Sequence, residues 1–228
     1  MPRKNYFILI IVFIIFVFTA CSATENKSNT KPDKMDKSPL INLPAIKIDG
    51  NYISLNDGIN ISDARKLIIS KMEKDGVKGD INSVAKINEI TTKEAWENVG
   101  AQLYSVDVDY AWLNGIAIIK DKKVLAVLSG MPTNTAFLAD LDKDGIYEIY
   151  TNISMGSGIV SEEIRGYNVA LNEHYELSMR MKQDIYLNVE NGTLMAEVRP
   201  WNKEDKNNTK RGKVILKKND QKRELAIE

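Results

Sequence analysis

The sequence predicts an α+β domain, mainly antiparallel β-strands and hairpins, with one or two short helices near the N-terminus of the domain. Three observations lead there. Short apolar runs separated by turn residues recur from Ile46 to the C-terminus. Helical spacing of apolar residues is confined to stretches before Gly100. No repeat of fixed period is visible, which disfavours a full propeller or a solenoid.

In chain order, Ile46 to Ile48 and Tyr52 to Leu55 flank Asp49-Gly50-Asn51 and read as a hairpin. Ser62 is placed to cap a helix whose apolar residues Ala64, Leu67, Ile68 and Met72 share a face, with Gly76 at its end. A strand through Val84, Ile87 and Ile90 leads to Thr91, which has capping-box spacing to Glu94 before a short helix with Ala95 and Trp96. Then the pattern turns to β: Leu103 to Val108, Ile116 to Ile119, Val124 to Leu128, Ala136 to Ala139, Tyr147 to Ile153 and Ile164 to Leu171. Tyr186 to Val189 and Leu194 to Val198 flank Glu190-Asn191-Gly192, a strong hairpin signal. Val214 to Leu216 and Glu224 to Ile227 close the chain as a final pair.

Ahead of this domain the chain changes character. Arg3 and Lys4 precede an unbroken apolar run from Tyr6 to Phe18, and small residues then close on Cys21. Positive, apolar, small is the layout of an export signal. An uncleaved span needs roughly twenty apolar residues, more than this run supplies. Phe18-Thr19-Ala20-Cys21 resembles the lipobox of bacterial lipoproteins, with Phe where Leu is commonest. That resemblance implies a signal peptide over residues 1–20, cleavage before Cys21, acyl chains (palmitate among them) on that residue, and a membrane-anchored, extracytoplasmic chain. Residues 21–44 are rich in Ser, Thr, Asn, Lys, Asp and Pro and predict a flexible tether. Residues 45–228 form the single extracytoplasmic domain.

Composition excludes several chemistries. Cys21 is the only cysteine, so the domain has no disulfide and no thiol, zinc-finger or iron–sulfur chemistry. His174 is the single histidine, in a stretch that reads as a polar turn. The chain carries 31 basic and 31 acidic residues and is formally neutral, so no global field draws nucleic acid.

The informative stretch is Asp140-Leu141-Asp142-Lys143-Asp144-Gly145-Ile146-Tyr147-Glu148. Its carboxylates at the first, third, fifth and ninth places can converge on one cation, with the Ile146 carbonyl as a further ligand and Gly145 permitting the tight turn. Calcium takes six to eight oxygens in flexible geometry, which this loop can contribute to. Thr151 at the twelfth place and β flanks set it apart from an EF-hand. The stretch resembles the calcium loops of FG-GAP and VCBS repeats, with Glu148 in place of the last aspartate. That resemblance covers residues 135 to 153 and implies a structural Ca2+ site but not the propeller fold. The plain alternative is a solvated acidic turn.

Asn152 to Ser161, with its Gly-Ser-Gly, reads as a loop that lacks the P-loop lysine and the nucleophile elbow. Together with the aspartate loop it is similar to lipoproteins of Gram-positive bacteria, a resemblance that implies no activity. Asp107 and Asp109 share a strand face and can pair for glycoside chemistry or form a solvent-facing row. Trp96, Tyr104, Tyr110 and Trp112 can make a sugar platform or pack in the core. The basic stretch from Lys203 to Glu224 can touch an anionic polymer or be a solvated flank. The expectation is a lipid-anchored binding or interaction module with a structural calcium site. It meets the membrane through Cys21, and meets an envelope protein or cell-wall polymer through its domain. The alternative is an exported hydrolase acting on wall glycan or peptide.

Overall fold

In a computed structural model, the described residues are 43–228 except 56, 78–80, 82–84, 109–113, 132–134, 157, 159, 180–181, 202–207 and 220–221. The predicted signal peptide and Cys21 lie outside them. Thirteen strands and two helices are defined among the described residues, and every strand pairing is antiparallel. None of the described helices is long and apolar enough to cross a membrane.

The central sheet has the order β1 (Ile46–Ile48), β6 (Ala136–Ala139), β7 (Glu148–Met155), β8 (Ser161–Asn168) and β9 (Glu173–Leu177). A second sheet runs β2 (Lys86–Glu89), β3 (Gln102–Asp107), β4 (Asn114–Lys120), β5 (Lys123–Gly130). A third runs β10 (Gln183–Glu190), β11 (Thr193–Pro200), β12 (Lys210–Asn219), β13 (Lys222–Ile227). The helices are α1 (Ile61–Lys74) and α2 (Lys93–Val99).

The period-two alternation of side chains makes four layers of these elements. On β6, Ala136 and Leu138 join a core with Ile116, Ile118, Leu103 and Leu128 of the second sheet. Their neighbours Phe137 and Ala139 face the other way, onto Ile185, Leu194, Val214 and Leu225 of the third. The central sheet is thus buried on both faces, and all four residues of β6 are buried. The outer face of the second sheet, through Tyr104, Val106, Ala117 and Ile119, receives α1 by Ala64, Ile68, Ile69 and Met72.

Several local expectations are corrected. Asp49-Gly50-Asn51 does turn, with Gly50 at φ +73°, but Tyr52 to Leu55 does not return along β1. Tyr52 makes an isolated bridge to Thr92, and β1 pairs with β6 instead. The cap of α1 is Asn60, whose Oδ1 accepts from the Asp63 N–H at 3.0 Å, not Ser62. Thr92 rather than Thr91 caps α2, accepting from the Ala95 N–H at 3.2 Å. Thr91 is wholly buried, and its hydroxyl accepts from the Leu103 N–H at 3.0 Å. His174 lies in a strand, β9, not a polar turn: the backbone there pairs with β8, which sets His174 opposite Tyr167 with ring centroids 4.8 Å apart.

Gly166 is required by packing. A β-carbon there would stand 2.6 Å from Cε1 of Tyr150, whose ring lies across β8 within the core shared with the third sheet.

Candidate functional site

The turn between β6 and β7 is organised by its own aspartates. Asp140 accepts at Oδ1 from the Asp144 N–H (3.1 Å) and at Oδ2 from the Gly145 N–H (2.9 Å). Asp144 Oδ1 accepts from the Ile146 N–H at 3.0 Å. Lys143 and Gly145 take left-handed conformations, φ +60° and +87°, which curl the backbone so that alternate side chains fall on one side. Carboxylate oxygens of Asp140, Asp142 and Asp144 consequently lie within 4.8 Å of one another. Three carboxylates at that spacing can hold a metal ion.

Glu148, the first residue of β7, is wholly buried. Its Oε1 accepts from Asn168 Nδ2 at 3.0 Å, and its Oε2 from the Tyr150 hydroxyl at 3.3 Å and, loosely, from the Leu141 N–H at 3.5 Å. Burial, with the Asp142 carboxylate adding to it, pushes the Glu148 carboxyl up to about 8. Burial likewise raises Asp140, against the two backbone N–H groups that pull it down.

Among the described residues, Arg223 is paired with this cluster. Arg223 of β13 places Nε 3.0 Å from Asp142 Oδ2, Nη2 3.6 Å from Asp144 Oδ2 and Nη1 3.1 Å from Glu173 Oε2. The Nε–H is not aimed for a hydrogen bond, so the contact with Asp142 is coulombic. The Asp142 side chain is only 6% exposed, and its Oδ1 is buried with no hydrogen-bond partner among the described residues. A buried polar oxygen left without a donor is costly, because its water is lost and not replaced.

Asp140, Asp142 and Asp144 are therefore brought together as their spacing predicts. Glu148 sits buried at the root of the turn, and Ile146 contributes an N–H within it. Arg223, Asn168, Glu173 and Tyr150 complete the surroundings. Arg223, Asn168 and Glu173 come from β13, β8 and β9, so no local signal marks them, whereas Tyr150 lies two residues along β7 from Glu148.

Asp107 is exposed at the end of β3, and Asp109 is outside the described residues. Tyr104 is wholly buried against α1 while Trp96 is exposed, and Tyr110 and Trp112 are outside the described residues. Ser154 belongs to β7 and its hydroxyl donates to Glu162. Within the basic C-terminal stretch, Arg211 pairs with Glu190 and Glu197. No family model, curated protein or solved structure matches the chain.

Proposed function

We propose that this chain is a lipid-anchored, extracytoplasmic binding or interaction module whose β6–β7 turn is clipped by calcium. The observation that carries the calcium reading is the orphaned, buried Asp142 Oδ1 beside two further aspartates. A divalent ion taking lone pairs from Asp140, Asp142 and Asp144 would give that oxygen a partner and offset the repulsion among the three carboxylates. The oxygens favour a hard cation, and the flexible carboxylate set suits calcium over the strict octahedron of magnesium. Water and the Ile146 carbonyl would fill the remaining positions. Extracellular sites of this type bind at about 0.1–1 mM, an affinity suited to a structural clip.

The export reading rests on the leader and the Phe18-Thr19-Ala20-Cys21 motif. Anchoring by two or more acyl chains is stable, since each buried methylene contributes roughly 0.8 kcal/mol.

The decisive measurement is thermal unfolding of the full chain in detergent, with 5 mM calcium (about five times the upper affinity bound) and with chelator. Calcium should raise Tm in the wild type and leave Asp142→Asn unmoved. Equal Tm values for the wild type in both buffers would overturn the calcium clip. Mass spectrometry of the native protein should find a lipid-modified Cys21 as the first residue, and an unmodified thiol there would overturn the anchor.

A further inference from the structure

The Arg223 guanidinium occupies the same carboxylates that a cation would need. It stands 3.0 Å from Asp142 Oδ2 and 3.6 Å from Asp144 Oδ2, yet leaves Asp142 Oδ1 without a partner. It also has somewhere else to go. Its Nη1 already meets Glu173 at 3.1 Å, and Tyr175 holds that carboxylate by donating its hydroxyl at 3.1 Å. A groove of about 350 Å³ lies between β9 and β13, lined by His174, Glu176, Lys222, Glu224 and Leu225 as well as Arg223.

From these positions we infer that Arg223 is a tethered competitor for the cation site. This rests on the calcium reading above. Calcium entering among Asp140, Asp142 and Asp144 displaces the guanidinium from both aspartates. Arg223 then pairs with Glu173 alone and leans into the β9–β13 groove. Two cations sharing carboxylates at contact distance repel each other strongly, because charge interactions near a partly buried site are poorly screened. The resident arginine thereby weakens calcium binding and joins the metal loop to the edge strands of two sheets. Calcium concentration would reset the shape and charge of that groove.

Calcium titration calorimetry on the full chain, wild type against Arg223→Gln and Arg223→Lys, tests this. Arg223→Gln should bind calcium about tenfold more tightly or better, as removal of one nearby positive charge requires. Arg223→Lys, which keeps the charge, should stay close to the wild type. Wild-type binding with an unchanged or weaker Arg223→Gln would overturn the competition and leave the calcium clip standing. No binding by either protein would overturn the clip and the competition with it. If Arg223→Gln does not fold, the wild-type side-chain Nε–Hε resonance of Arg223 decides. It should shift as calcium saturates, and a resonance that stays in place would overturn the proposal.

Discussion

The side chain of Asn152 in β7 serves as a strand partner for Leu187 in β10. Its Oδ1 accepts from the Leu187 N–H at 2.5 Å, while its Nδ2 donates to the Ile185 carbonyl at 2.7 Å. A carboxamide offers one donor and one acceptor in a plane, as a peptide group does. The open edge of β10 is thus covered by a side chain from the neighbouring sheet, at a place where an unpaired edge would invite pairing with another chain.

Asn152→Ala should therefore destabilise the domain by about 2–4 kcal/mol, because a backbone N–H and a backbone carbonyl lose their partners together. Asn152→Asp keeps the acceptor for Leu187 but presents a charge to the Ile185 carbonyl and to the Glu163 carbonyl, to which Asn152 Nδ2 also donates at 3.2 Å, and should be no better. Urea unfolding followed by circular dichroism reads both. A loss below about 0.5 kcal/mol for Asn152→Ala, the range of ordinary surface substitutions, would mean that the stitch is not what holds β10.

Gly166→Ala should cost about 1–3 kcal/mol, the usual penalty for overpacking a filled core. The new methyl meets the Tyr150 ring at 2.6 Å. Removing that ring should remove much of the conflict, so the same change in a Tyr150→Ala background should cost clearly less. Additive losses in the double-mutant cycle would refute the contact.

Stability in chelator should fall as pH rises. The Glu148 carboxyl lies at about 8 in the folded chain against an ordinary 4.5, so the folded state holds the proton more tightly than the unfolded state does. Its contribution is fully present below the unfolded value and is lost as pH climbs through the folded one. Between about pH 4.5 and 8 the loss should be of the order of 3–5 kcal/mol. Glu148→Gln, which keeps the Asn168 contact without the charge, should flatten the profile. Parallel pH profiles for the two proteins would show that Glu148 is not the source.

Asp140 and Asp144 should behave differently without metal. Asp140 holds two backbone N–H groups of the turn, so Asp140→Ala should lower stability by about 1–3 kcal/mol even in chelator. Asp144→Asn retains an acceptor for Ile146 and relieves repulsion from its neighbours. It should leave the chelated protein within about 0.5 kcal/mol of the wild type and weaken its response to calcium. Identical behaviour of the two variants in denaturant melts would contradict this division of roles.

Local chemistry made much of this legible in advance. The hairpin at Glu190-Asn191-Gly192 forms with Asn191 and Gly192 both at positive φ, because few other residues adopt that conformation cheaply. On α1, Ala64, Ile68 and Met72 are buried as their spacing predicts, but Ile69 is buried with them while Leu67 stays half-exposed; the Asp140–Asp144 curl follows from acceptors placed beside the N–H groups they satisfy. The pattern misplaces both caps by one or two residues: it points to Ser62 and Thr91, and the structure uses Asn60 and Thr92. Thr91 is drawn into the core by its bond to Leu103, which leaves Thr92 free to cap. Strand β9 was obscured by its polar residues: as an edge strand it buries only Tyr175 deeply.

By itself, the sequence determined the β-rich class, the turn at Glu190-Asn191-Gly192 and the acidic loop, all of which depend on residues within a few positions of one another. The tertiary structure alone decided which sheets share a core, that β1 joins β6 rather than its chain neighbour, and that Arg223 faces Asp142 across some eighty residues of chain. Such pairings are set by which apolar faces can be buried together. An interaction between distant residues therefore leaves no period or spacing in the chain by which it could be read.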